Sequence, residues 1–370
     1  MAINMKTKLT GFFAAALVCM AVACSKDNGP IGPIGTPSTP STPPVEEVLT
    51  KGVYILNSGK LGSNNSELTY YDAVTKQVTT NKFVAVNGKK MGDTGNSIIC
   101  YGKKLYMAVT GSAVVYVTDL TGRVLGEVVK QGESGKLSPR HLDAANGKVY
   151  VTYMEGYAGA IDTSSFQVTT VKVGAFPEGI AYSNKKLYVA NSDGMNYPYG
   201  TTVSVLDANT LETKATLEVS NNPQTFHKAS DNTLYLVTWG NYADIPAKLH
   251  KINTASDRVT TISGVAPTNM AIGKDGIAYI LSSVYDAAWN QTITYEMYDI
   301  AKDKIIGEFA SVSEIPGGYS LFADELTGKV YVGASDYISN GDVYVLESDG
   351  AIAGKFDTGA LNPVSLCFIR

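Results

Sequence analysis

Histidine, cysteine and tryptophan are all scarce: the 370 residues hold three, four and two of them. So few histidines, with no His-Glu zinc spacing and no Ser-His-Asp arrangement, supply none of the usual catalytic or metal-binding constellations. Basic charge is not concentrated either. Thirty Lys and Arg face 34 Asp and Glu for a net charge of −4, and no Lys/Arg run stands out, so nothing recommends a nucleic acid as partner. Helical periodicity of useful length is missing beyond the first two dozen residues. The apolar run from about Phe12 to Val22 is too short for a transmembrane helix of ~20 residues.

What is present begins with an address. "MKTKLTGFFAAALVCMAVAC" has two lysines, an apolar stretch and small residues before Cys24, the layout of a secretory signal, with Met5 an alternative start. Its end, "AVAC", resembles the lipobox of bacterial lipoproteins, which implies cleavage after residue 23 and a lipid on Cys24. "SKDNGPIGPIGTPSTPSTPPVEEV" follows, too rich in Pro, Gly, Ser and Thr to bury a core, and reads as a flexible tether through residue 50. Lys26-Asp27 resembles the charged export signal of Bacteroidetes surface lipoproteins. The expected location is therefore the outer membrane, lipid-anchored and facing the exterior, with membrane contact only through Cys24. Of the other cysteines, Cys19 leaves with the signal. Cys100 and Cys367 sit in apolar strand-like runs and are expected as buried free thiols, a disulfide between them being the alternative.

Residues 51–370 repeat one unit seven times. Tyrosines 54, 106, 150, 188, 235, 279 and 331 stand in look-alike strands such as "KLYVANSD" and "KVYVGASD", spaced by 52, 44, 38, 47, 44 and 52 residues. That straddles the ~40–45-residue period of four-stranded propeller blades. Each copy is preceded by a short strand, usually opened by proline, and followed by a hairpin with a polar turn. The chain ends on "NPVSLCFIR", a first strand without its tyrosine strand, and the domain begins on "GVYILNSG", a tyrosine strand without its first. The expected fold is an all-β, seven-bladed β-propeller of four-stranded blades, closed by pairing of its N- and C-terminal strands and monomeric.

In such a blade the connections from strand two to three, and from strand four to the next blade, emerge on one face. Sorted that way, the other face holds only tight polar turns. The first face carries long loops bearing Tyr153, Tyr157, Tyr197, Tyr199, Trp239, Tyr242, Tyr285, Trp289 and Tyr337 among Asn, Asp and Gly. Rings offer broad contact at low entropy cost, so this face is the candidate binding surface. Met91, Arg140, Glu178, Gln224, Asn269 and Tyr319 are placed at the channel mouth. His141 could reach it, whereas His227 and His250 read as core or rim. A metal-dependent lactonase would need oxygen ligands there, for which Glu178 and Asn269 are the candidates. No metal or cofactor is expected, and a binding protein is expected rather than an enzyme.

Two stretches resemble known families. "KLYVANSDG" is similar to the YVTN class of propeller repeat. "GVYILNSGKLGSNNSELTYYD" resembles the opening of a family of Bacteroidetes surface lipoproteins with YncE-like propellers, which includes the BtuG-like cobalamin-binding lipoproteins; Ser58 stands where that family usually has an acid. The resemblance implies capture of cobalamin or a related corrinoid and transfer to a TonB-dependent transporter of the outer membrane. Tyr and Trp would pack on the corrin, while Arg140, Glu178, Gln224 and Asn269 would be placed to meet polar groups. Stacking on sugars asks for the same residues, so a glycan-binding or scaffolding lipoprotein of a polysaccharide uptake system is the alternative.

Overall fold

Each tyrosine strand lies second in a four-stranded antiparallel sheet, and seven such sheets account for all 28 strands of the described residues. The computed structural model describes residues 49–286 and 290–370. The signal, Cys24, most of the tether and Trp289 lie outside the described residues. Blades are numbered here by their tyrosine strands, from Gly52–Asn57 in blade 1 to Val330–Ala334 in blade 7.

The innermost strands are Gly95–Tyr101, Pro139–Ala145, Pro177–Ser183, Pro223–Ser230, Asn269–Ile272, Gly318–Ala323 and Pro363–Ile369. Each touches the next, and the last touches the first, which closes the ring around a central channel. Four of the seven start on proline, which lacks the N–H a ladder would use and fits the first position of a strand.

Closure is made by the chain ends, as expected. Pro363–Ile369 pairs antiparallel with Gly52–Asn57, from Gly52 opposite Ile369 to Asn57 opposite Pro363. This covers the inner edge of Gly52–Asn57, which would otherwise be open to a second chain. Blade 1 departs from the repeat on its outside. Its fourth strand is only Val78–Thr79, and the chain then forms a short helix, Lys82–Asn87, burying Phe83 against Tyr116. Buried Glu67 holds this insert, accepting the N–H groups of Leu68 and Phe83 at 2.8 and 2.7 Å. Burial raises the Glu67 pKa, while the backbone donors pull it the other way. Six residues show no readable period, which is why this helix was not expected.

The seven repeated tyrosines are buried between blades. In five blades the phenol reaches the turn between strands three and four of the following blade. Tyr54 donates to the Leu120 carbonyl at 2.7 Å, Tyr150 to Ala208 at 3.2 Å and Tyr188 to Thr254 at 3.2 Å. Tyr235 donates to Asp303 and Tyr279 to the Ser348 carbonyl, both at 2.8 Å. In these five blades the residue that marks the repeat thus fastens one blade to the next, each bond contributing about 1 kcal/mol net. Cys100 and Cys367 are free thiols with pKa values raised by burial.

Candidate functional site

The long loops converge unevenly. Where blades 5, 6 and 7 meet, they enclose a cavity of about 890 Å³ lined by five rings, Trp239, Tyr242, Tyr285, Tyr319 and Tyr337. Its polar lining is Thr268, Asn269, Ser283 and Asp286, and Ile245, Pro246, Ala266 and Leu281 are among its apolar walls. That size and mixture suit a ligand pocket.

Local chemistry fixes the loops that present the rings. Asn241 bends its loop by accepting the N–H groups of Ala243 and Ile245 at 3.0 and 2.8 Å. Asp336 does the same for Ile338 and Ser339 at 2.8 and 2.7 Å. These donors and the Ser339 hydroxyl hold the Asp336 pKa down at about 2. Tyr242 and Tyr337 both take left-handed backbone, with φ of 58° and 62°, a conformation costly for bulky residues. The two residues are 67% and 58% exposed. Strained backbone thus holds two large rings out toward solvent.

Neighbouring rings extend the surface. Tyr197 meets Tyr199 edge-on at 5.9 Å, and Tyr199 meets Tyr242 likewise at 5.8 Å. Tyr319 meets Tyr337 at 5.6 Å, also edge-on. Burial pushes the Tyr319 pKa up to about 12, the Tyr337 phenol adding to it and Arg140 opposing it. Beneath Tyr242, Asn222 donates to its phenol at 3.3 Å; buried Gln224 donates to Asn222 and Ser192.

Arg140 and Glu178 form an ion pair instead of an open polar ring. Arg140 Nε and Nη2 donate to the Glu178 carboxylate at 2.7–2.9 Å, and Nη1 donates to Asn96 at 2.9 Å. His141 Nε2 lies 3.5 Å from the same carboxylate. Burial would raise the Glu178 pKa, but Arg140 and His141 overcome it and hold the group below its ordinary value. His227 and His250 are kept neutral by burial, with pKa values lowered to about 4.

The structure therefore divides the expected site residues. Trp239, Tyr242, Tyr285, Tyr337 and Asn269 share the cavity, and Tyr197 and Tyr199 adjoin it through Tyr242. Tyr153 is corrected: it ends its strand pointing between sheets, 2% exposed and with no hydrogen-bond partner for its phenol. Tyr157 pairs with Glu133 at 3.3 Å beside Lys172, on blade 3 and outside the cavity lining. Met91 is fully buried in the core rather than at the mouth, because the Lys82–Asn87 insert shifts the connection and Asn96 takes the mouth position. Ile245, Pro246, Ala266, Leu281 and Ser283 carried no signature that could single them out. Among the described residues no three His, Cys, Asp or Glu side chains gather as for a metal ion.

Trp239 has a second role. Its indole N–H donates to the Thr268 carbonyl at 2.8 Å, joining blade 5 to the connection entering blade 6. Trp239→Ala is expected to lower the melting temperature by about 5–10 °C as well as strip the cavity. Trp239→Phe keeps a ring and loses about 1 kcal/mol. Calorimetric melting of both variants checks this.

Residues 51–309 match the family described as a domain of unknown function, DUF5074, and the chain belongs to that family. No curated protein matches the chain. Among solved structures, a quinonprotein alcohol dehydrogenase-like protein from Bacteroides thetaiotaomicron is similar with a TM-score of 0.64 and 19% identity, over 86% of this chain and 78% of that one. A candidate 6-phosphogluconolactonase from Bacteroides fragilis gives 0.63 and 10%, over 86% and 98%. Hydrazine synthase of Kuenenia stuttgartiensis gives 0.60 and 18%, over 74% and 89%. At these identities the likeness is one of fold.

Proposed function

We propose that this DUF5074 propeller is a lipid-anchored protein of the cell surface that captures cobalamin or a related corrinoid in the aromatic cavity and passes it to a TonB-dependent transporter. The observation that carries the reading is the cavity: five rings from three adjacent blades set beside amide and hydroxyl groups. A corrinoid is broad, with an apolar ring edge and many amides, and asks for that combination. The edge-to-face row from Tyr197 to Tyr242 supports a ligand wider than the cavity itself.

That same row would also suit successive sugar rings, so a glycan of a polysaccharide uptake system is the second reading. Titrating the full chain calorimetrically with cyanocobalamin and with neutral oligosaccharides decides between them. Saturable heat with cyanocobalamin alone is expected. Heat with an oligosaccharide alone replaces the ligand, and product formation from a lactone replaces the binding protein with a hydrolase.

A further inference from the structure

The loops around the cavity carry charge of one sign only, and the cations beside them are Lys248, which follows the lining residue Ala247, and Arg140, which acts on Tyr319. Six loops border the cavity or its aromatic extension, in the described residues 192–202, 239–247, 263–269, 282–286 with 290–292, 311–319 and 335–341. None contains a lysine or arginine. They contain Asp193, Asp244, Asp286, Glu314 and Asp336. Asp286 lines the cavity, and Asp244 and Asp336 are direct sequence neighbours of lining residues. These carboxylates have local work: Asp244 accepts from Asn241 at 2.8 Å, Asp286 from Asn290 at 2.8 and 2.9 Å, and Glu314 from Ser311 at 2.6 and 3.0 Å. Those donors are neutral, and the partners of Asp244 and Asp336 favour the negative charge, since both pKa values are lowered.

The rings act in the same direction. Aromatic faces carry negative potential and attract cations, and Trp239, Tyr242, Tyr285, Tyr319 and Tyr337 surround one space. Arg140, the nearest cation to Tyr319 by its effect on that phenol, is engaged by Glu178 and Asn96. We infer that the cavity selects its ligand by charge, favouring a cationic or neutral group and excluding an anionic one. This rests on the cavity being the ligand site, as proposed above, and adds the charge class of what it admits. An acidic sugar or a carboxylated corrinoid would be turned away at the rim. A corrinoid with a positively charged cobalt centre would be drawn in.

Rim charges act mainly on association rate and its salt dependence. Stopped-flow association of the full chain with aquocobalamin, cyanocobalamin and a cyanocobalamin monocarboxylic acid compares a cation, a neutral molecule and an anion of one shape. At low salt the cation is expected to associate about tenfold faster than the anion, with the neutral form between, and the spread should collapse near 0.5 M salt. Asp244→Asn with Asp336→Asn retains the turn-forming oxygens and should cut the spread to roughly threefold. Equal rates at low salt, or a faster anion, overturn the inference. A parallel arm titrates benzyltrimethylammonium and benzenesulfonate against tryptophan fluorescence. If no corrinoid binds, the proposed ligand falls, while stronger quenching by the ammonium still upholds charge selection and equal quenching still overturns it.

Discussion

Tyr242→Asn combined with Tyr337→Asn is expected to weaken corrinoid capture by about a hundredfold or more while leaving the stability of the propeller within about 1 kcal/mol of the parent. Both positions hold left-handed backbone, which asparagine adopts far more readily than tyrosine. Both rings are mostly solvent-exposed, so their removal opens no core void. The one hydrogen bond given up on the protein side is the 3.3 Å contact from Asn222 to the Tyr242 phenol. Against that loss, and that of the edge-on contacts of Tyr242 with Tyr199 and Tyr337 with Tyr319, worth about 0.5–1.5 kcal/mol each, stands relief of backbone strain, on the order of 1 kcal/mol at each position. On the ligand side, two aromatic anchors at a pocket rim are worth about 2 kcal/mol each, and 1.4 kcal/mol is tenfold in affinity. Calorimetric titration and thermal melting of the same sample check both halves. A variant that loses stability together with binding would mean that these rings hold the loops and do not serve a ligand. Stability traded for presentation of a binding group is the pattern found at functional sites.

The frame was legible because it is repeated. Seven tyrosines at blade-like spacing could be recognised without knowing what each touches, and the split first blade gave the closure. Parts of the site depend on single-residue placement and were harder to read. Tyr153 and Tyr157 flank one short turn, yet a strand-end position sends Tyr153 inward. Strand periodicity is two, so one residue of uncertainty in where a strand stops decides between core and solvent. Arg140 and Glu178 were each readable as mouth residues, but their pairing depends on the innermost strands of blades 3 and 4 lying side by side. The concentration of the cavity on blades 5 to 7 was not visible in any one loop. It arises because Trp239, Tyr285 and Tyr337 come from successive blades while the equivalent loops of blades 1 and 2 carry no aromatic residue. Small walls such as Ala266 and Ser283 leave space by being small, and leave no mark in a pattern.

Asp324→Ala is expected to cost about 3–5 kcal/mol, the largest stability effect of any single change considered, because it removes the centre of the closure latch. Asp324 is fully buried in blade 7. One carboxylate oxygen accepts from Arg370 at 2.5 Å and from the Leu326 N–H at 3.1 Å; the other accepts from Thr50 at 2.5 Å and Thr327 at 2.8 Å. Arg370 also donates to Thr50. The group therefore ties both ends of the propeller, Thr50 two residues before the first strand and Arg370 after the last, to the blade beside them. Removing it leaves Arg370 without its ion-pair partner and the buried Thr50 hydroxyl without its acceptor. Burial alone would raise the Asp324 pKa, but Thr50, Arg370 and Thr327 overcome it and lower the folded value below the ordinary one. A carboxylate with a lowered folded pKa contributes stability that is present above its unfolded value, about 3.9, and is lost as pH falls through the folded value. Chemical denaturation across pH 3 to 7 should show the parent losing stability at the acid end and Asp324→Asn losing less there from a lower starting point. Opening of an end-paired blade exposes two strand edges together, so the melt should lose its first and last strands before the rest. Amide exchange in Asp324→Ala that speeds up at Gly52–Asn57 and Pro363–Ile369 more than at the innermost strand of blade 4 would register that order, and an equal change across all seven blades would refute the latch.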